Sequence, residues 1–276
     1  MFRKVLMCKP TFYDVIHHDL NKYMSMKQKV NKTLAMNQWN NLVTHLQNSH
    51  VNIDFIKPQK NLVDMVFSAN PSIVYKQKVI ISNFQAKPRI PESTHYKNYY
   101  SDNNYQVYDV PTDIFLEGGG DILFSHNKTI LWCGYGFRSS EKSLNFLNYV
   151  FDNDEIEIIQ LKLTNPLYYH LDTCFCPIGN GKVMIYKGAF NYDSLHTIYS
   201  YFGKDNVIEI TSTDAENFVC NSIYTDANNE HTIIGHKFSK ELRFFLENKN
   251  YKVIETPMDQ FLLSGGSCKC MVIDLL

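Results

Sequence analysis

The sequence predicts an α/β fold of five pseudo-symmetric units, each made of two strands, a helix and a third strand. They close as a propeller around a central channel that holds an active site. Three observations predict it. The same order of apolar patterns returns five times along the 276 residues. The strand that follows each helix begins near residues 51, 105, 156, 206 and 251, in steps of 54, 51, 50 and 45. A steady period near fifty residues marks a repeat architecture, whose units bury their apolar faces against neighbours. Finally, the loop after each of those strands carries conspicuous polar residues: Asp64 and Asn70, Glu117 and Asp121, His170 and Asp172, Asn217 and Asn221, then Cys270. If rotation relates the units, these carboxylates, amides, histidine and thiol line one pocket. No linker is visible and a ring has no place to be cut, so residues 1–276 are read as one domain.

The elements follow in order. An apolar strand at 5–8 ends before Pro10. From Gln28 to Asn48, the apolar residues Leu34, Ala35, Trp39, Leu42, Val43 and Leu46 fall near helical spacing. A strand at 51–56 leads through the loop 57–64 and the segment 65–70 to a hairpin of 73–75 with 79–82. The second unit has a helix at 92–101, a strand at 105–110 and paired strands at 122–124 and 129–132. The third has a helix at 141–151 and strands at 156–161, 171–175 and 183–186. The fourth has a helix at 192–202 and strands at 206–210, 222–225 and 232–234. The fifth has a helix at 239–248, a strand at 251–255 and a closing strand after Gly266 that can pair with the N-terminal strand.

Composition narrows the function. Hydrophobic content of 44% and charged content of 20% are those of a soluble globular protein. A net charge of −1 gives no reason to expect nucleic acid or an acidic membrane surface as partner. No run approaches the roughly 18 apolar residues of a membrane span. The N-terminal apolar stretch is short and passes straight into Cys8-Lys9-Pro10, unlike a secretory leader. Seven cysteines, an odd number without framework spacing, favour free thiols in a reducing, cytoplasmic setting.

The chemistry centres on Ser264-Gly265-Gly266-Ser267-Cys268-Lys269-Cys270-Met271-Val272. Two glycines that let backbone approach a ligand closely run into a thiol at the start of an apolar strand. Cys270 is either a buried strand cysteine or a nucleophile, with Cys268 as its rival. His170 and Asp172, at i and i+2 in an expected strand, share a face, where a carboxylate beside an imidazole suits proton transfer next to a bound cation. Glu117 precedes three glycines. A phosphate loop is disfavoured because no Lys-Ser/Thr follows; a plain glycine turn, or a carboxylate anchoring a cation or His170, remain. Cys174-Phe175-Cys176 with Cys268 and Cys270 has C-x-C spacing, unlike the usual structural zinc pattern. Arg89 and Arg138 are either solvated surface residues or forks that clamp a substrate carboxylate.

With these motifs assembled, the chain resembles the pentein superfamily of guanidine-modifying enzymes. That superfamily includes arginine deiminase, dimethylarginine dimethylaminohydrolase and the amidinotransferases. The catalytic portion of arginine dihydrolase is the nearest likeness. The matching stretches begin at Asp64, Glu117, Leu131, Tyr169, Asn217 and Gly265, and they span nearly the whole chain in the expected order. Pro71-Ser72 and Ser267-Cys268 depart from that group's usual small residues. The resemblance implies Cys270 as nucleophile, His170 as acid and base, Glu117 as its partner and Asp172 as a guanidinium ligand. It places Asn21, Arg89 and Arg138 at substrate contacts, and implies a small guanidino substrate with no cofactor or metal. Asp64, Asp121 and Asn221 are expected to line the same substrate pocket. Asn70 stands where arginine deiminase has an aspartate. An amide there can donate to the ureido oxygen of citrulline, so a second hydrolytic cycle, ending at ornithine, is expected. A non-catalytic pentein that binds a partner is the reading from another class.

Overall fold

The computed structural model describes residues 3–16, 21–25, 29–125 and 127–275. Its strands form five three-stranded sheets of one pattern. An antiparallel pair is followed by a strand parallel to the middle one, and a helix lies in each parallel crossover. Ser72–Tyr75, Lys78–Ile81 and Gln106–Asp109 make one sheet, with the helix Glu92–Asp102 before its third strand. Ile122–Phe124, Ile130–Tyr135 and Glu157–Lys162 make the next, with the helix Ser143–Val150. Phe175–Pro177, Val183–Ile185 and Val207–Glu209 follow with the helix Tyr192–Phe202. Then come Ile223–Thr225, Thr232–Gly235 and Lys252–Glu255 with the helix Lys240–Asn248.

The remaining sheet joins the two ends of the chain. Ile273–Asp274 runs antiparallel to Lys4–Cys8, with Val5 opposite Asp274 and Leu6 opposite Ile273, and Asn52–Ile56 completes it in parallel after the helix Lys32–Asn48. The expected pairing of the closing strand with the first is therefore present. Third strands begin at 52, 106, 157, 207 and 252, each one residue after its expected start. Gln28, where the first helix was expected to begin, lies outside the described residues.

Each crossover helix buries one apolar stripe against its sheet. Ala35, Trp39, Leu42 and Leu46 recur at helical spacing and are buried, packing with Val5 and Met7 of the sheet beneath. Tyr96 and Tyr100 do the same against Val79 and Ile81, and Leu242 and Leu246 against Ile233 and Val253. Each fully buried aliphatic or aromatic side chain stabilises the fold by about 1.5–3 kcal/mol. Asn31, Asn191 and Ser239 cap their helices by accepting from the backbone N–H of Leu34, Ser194 and Leu242. No helix among the described residues is long and apolar enough to cross a membrane.

Two local expectations are overturned. The sequence places His170 and Asp172 on one face of a strand; instead Leu171–Thr173 is a 3-10 turn preceded by an extended His170, and the strand starts only at Phe175. Cys270 likewise lies in the 3-10 turn Lys269–Met271, ahead of the closing strand. The device is general. A short helical turn precedes the first strand of every sheet: Val63–Val66, Gly118–Asp121, Leu171–Thr173, Val219–Asn221 and Lys269–Met271. Such a turn redirects the chain within three or four residues, where a strand would alternate side chains across two faces.

Candidate active site

Four of these turns and the loop that follows Val63–Val66 meet through hydrogen bonds. The Ala69 amide donates to the Cys270 carbonyl at 3.0 Å, and the Gly119 amide to the Ala69 carbonyl at 2.8 Å. The Leu171 amide donates to Asp121 Oδ1 at 3.1 Å. Asn221 joins two more, donating from Nδ2 to the Asp172 carbonyl at 3.2 Å and accepting from the Cys270 amide at 3.2 Å. Two glycines are required here. Gly118 has φ +43, and a Cβ on it would lie 2.2 Å from the Asn70 carbonyl oxygen. A Cβ on Gly120 would lie 2.3 Å from Asn70 Nδ2 and 3.1 Å from Cγ of the His170 ring.

Glu117 is completely buried, and Oε2 takes both His170 Nε2 and Arg138 Nη1 at 2.9 Å. Its other oxygen accepts from the Gln85 and Ala86 amides at 3.2 and 3.3 Å. Burial pushes this carboxyl up, but Arg138 and the His170 contact outweigh it and hold it at about 2. An ionised carboxylate accepts only, so it fixes the His170 proton on Nε2 and leaves Nδ1 for proton exchange. Arg138 also stacks over the Tyr169 ring at 4.8 Å.

Cys270 is 3% exposed. Its sulfur lies 3.1 Å from Asn221 Nδ2 and 3.4 Å from Asp172 Oδ2. Burial, then the Asp172 charge, hold the thiol well above its ordinary pKa, so the resting group is protonated. Asp172 is itself pushed up to about 7, by burial against the opposing pull of Lys269. A cation placed beside the sulfur reverses this balance, since it favours the thiolate.

Asn70 is oriented by Arg89. Arg89 Nη1 donates to Asn70 Oδ1 at 2.7 Å, so the amide oxygen must face the arginine. The opposite end, Nδ2, is buried without a hydrogen-bond partner among the described residues. Arg89 closes the rest of its fork on Glu92 at 3.0 and 2.8 Å and on the Asp64 and Phe67 carbonyls.

A small cavity of about 20 Å3, room for roughly one water, is lined by Asn21, Asp64, Asn70, Arg89, Arg138, His170 and Cys270. These sequence-predicted residues are thus brought together. Others stand behind them. Asp121 engages Ser139 at 2.6 Å and the Leu171 amide, so it holds the His170 turn and does not face the cavity. Asn221 clamps the sulfur. Asn217 does not line this cavity; its amide donates to the Thr213 carbonyl and closes a helix end. Arg89 both lines the cavity and is braced from behind, 5% exposed and paired with Glu92 at i, i+3 spacing. Asn21 ties the Tyr23 and Met24 amides to the Ser264 carbonyl. The sequence reading missed Tyr169, whose hydroxyl donates to the Gly265 carbonyl at 2.8 Å, and Ser139, which joins Asp121 to the Glu117 amide. Among the described residues, no cluster of His, Cys, Asp and Glu could hold a metal ion, and all seven cysteines are free thiols.

A buried cysteine and a carboxylate-paired histidine on one cavity, over five repeated sheets, define an α/β protein with the parts of a covalent catalyst. The comparisons then place it. A family profile described as "N,N dimethylarginine dimethylhydrolase, eukaryotic" matches residues 14–276, and the chain belongs to that family. It is 37% identical over 271 residues to the bifunctional arginine dihydrolase/ornithine cyclodeaminase AgrE of Nostoc, covering 98% of this chain but only 37% of that protein. The solved N-terminal domain of ArgZ, a cyanobacterial arginine dihydrolase caught with substrate, superposes with a TM-score of 0.92 at 34% identity, covering 99% of this chain and 98% of that one. The dimethylarginine dimethylaminohydrolase of Mycobacterium tuberculosis is 26% identical, over 99% of this chain and 86% of its own length.

Proposed function

We propose that this chain is a cysteine-dependent arginine dihydrolase: arginine and two waters give ornithine, carbon dioxide and two ammonia molecules. Cys270 is the nucleophile, His170 the acid and base, and Glu117 its orienting partner. The five sheets are read as blades of one closed ring over residues 1–276, acting on a small substrate in the cytoplasm. The arginine dihydrolase relatives support this reading.

Arginine carries its own activator. Its planar cation, bound against Asp172 and Asp64, draws the Cys270 proton off, and the thiolate attacks the guanidinium carbon. Asn221, donating to the sulfur, favours that charged form. One C–N bond breaks, and the leaving nitrogen takes a proton through His170 and departs as ammonia. Water, deprotonated by His170, displaces sulfur and leaves citrulline. The observation that carries the second cycle is the Asn70 amide, turned by Arg89 so that a buried, partnerless N–H faces away from it. Such a donor suits the neutral ureido oxygen, which a carboxylate would repel. A second attack expels the second ammonia, and hydrolysis of the thioester-like adduct gives a carbamate that loses carbon dioxide. Because the cavity is far smaller than arginine, the contact of Asn21 with Ser264 in its lining must part to admit it.

A second reading, a hydrolase that stops at citrulline, is favoured by the family description and the mycobacterial relative. Incubation with arginine, citrulline and dimethylarginine separately, with products identified by mass, decides. Ornithine from both arginine and citrulline supports the proposal. Citrulline as end product supports the second reading, and no turnover of any of the three refutes both.

A further inference from the structure

We infer that water reaches the reacting carbon, and ammonia leaves it, through a second cavity behind Cys270, separate from the mouth that admits substrate. This rests on the arginine hydrolase reading. The cavity is large, about 410 Å3, against about 20 Å3 on the substrate side. Its lining runs from the exposed Lys4, Lys128 and Asp226 down to Gly119, Asp172 and Cys220, which are fully buried.

Asp172 is the partition. Asp172 lines the large cavity and not the small one, whereas Cys270 lines the small one and not the large. Oδ2 touches the sulfur at 3.4 Å, so one carboxylate separates the reacting atom from the rear space. Oδ1 is buried and has no hydrogen-bond partner among the described residues. A buried carboxylate oxygen left bare costs stability, and a water standing in the rear cavity removes that cost.

The reaction needs such a route. In each half-cycle one C–N bond breaks, one ammonia leaves and one water replaces sulfur on carbon. Bound arginine fills the front with its amino-acid end, so its carbon lies deepest, nearest Asp172. Exchange by the front would require the amino acid to dissociate between cycles, releasing citrulline. Exchange by the rear lets both cycles run on one bound molecule. The lining charges fit neutral traffic: Arg3, Lys4, Lys128 and Lys269 outnumber Asp172, Asp226 and Asp274 by one, with Arg3 paired to Asp274 and Lys4 to Asp54. Water, ammonia and carbon dioxide pass such a lining, while cationic arginine and ornithine are repelled.

The test fills the rear cavity from two sheets, with Thr225→Trp and Leu123→Trp, and uses Thr225→Ala as control; thermal melts establish folding. The filled variants should lose at least tenfold in arginine turnover with KM within about twofold of the parent, and should release citrulline. Independently, methyl methanethiosulfonate should modify Cys270, located by mass, even under saturating ornithine, and at least tenfold more slowly in the filled variants. Parent-like rates in a folded filled variant overturn the inference, as does complete protection of Cys270 by ornithine alone. If the parent does not turn over arginine, the hydrolase reading fails. Cys270 modification without ornithine, parent against filled variant, then still decides whether the rear route exists.

Discussion

Asn70→Asp separates the two cycles. In the parent, Arg89 Nη1 sits 2.7 Å from Asn70 Oδ1 and turns the amide nitrogen, buried and partnerless, to the other side. Aspartate keeps the Arg89 contact, because either carboxylate oxygen can accept it, and the adjacent guanidinium keeps it ionised. What changes is the far atom, from a donor N–H to an anionic oxygen beside His170. For arginine this adds an acceptor for a cation, so the first step should stay within about tenfold of the parent. For citrulline it removes a donor to the developing oxyanion, a loss worth about 10²- to 10³-fold in similar sites. The assay follows citrulline and ornithine by mass over time, from arginine and from citrulline. Citrulline should accumulate from arginine and turn over at least 100-fold more slowly than in the parent. If the variant makes ornithine from citrulline at the parent rate, the assigned role of Asn70 is wrong. Equal loss of both steps at an unchanged melting temperature would refute the reasoning equally.

Three further perturbations follow from the buried charges. Arg89→Met strands Glu92 and frees the Asn70 amide to rotate; breaking a buried pair costs about 3–5 kcal/mol, so denaturant melts should show a loss of that order. Glu117 lies at about 2 against an ordinary 4.5, so its contribution is present above pH 4.5 and is lost as pH falls from 4.5 through 2. That gap corresponds to about 3 kcal/mol at pH 7, and Glu117→Gln should lower stability by this order there, the difference from the parent shrinking as acid is added. Asp172 is raised from 3.8 to about 7, so the sign is opposite: its contribution holds below pH 3.8 and is lost as pH rises through 7. Asp172→Asn should therefore melt higher than the parent at pH 8 by the equivalent of roughly 2–4 kcal/mol, while arginine turnover collapses. A variant that melts lower at pH 8 would contradict the burial argument.

Much of the frame was legible because its causes are local. The stripe Ala35, Trp39, Leu42 and Leu46 and the tyrosines 96 and 100 mark helices by spacing alone. The starts of the strand after each helix emerged within one residue, since apolar runs bounded by turn residues leave few other readings. The turns that carry the site were misread as strands. Leu171-Asp172-Thr173 and Lys269-Cys270-Met271 have no helical signal of their own, and neighbours outside the turn hold both in place. The part Arg89 plays is not legible in sequence for a related reason. A guanidinium that braces the protein and one that clamps a substrate look alike until its partner Glu92 is seen buried beside it.

By itself, then, the order of residues determined the five-unit α/β repeat, the closure of last strand on first, and which loops hold Cys270, His170, Glu117 and Asn70. Those follow from hydrophobic periodicity and turn chemistry, which act over a few residues. Only the tertiary structure decided which polar groups face the cavity and which support it from behind: Asp121 and Asn221 behind, Asp172 between two cavities, and the Asn70 amide with its nitrogen unpaired. Those choices depend on burial and on hydrogen bonds between residues 50 to 100 positions apart, such as Leu171 to Asp121 and Cys270 to Asp172. No local pattern encodes them, because each exists only once the turns have met.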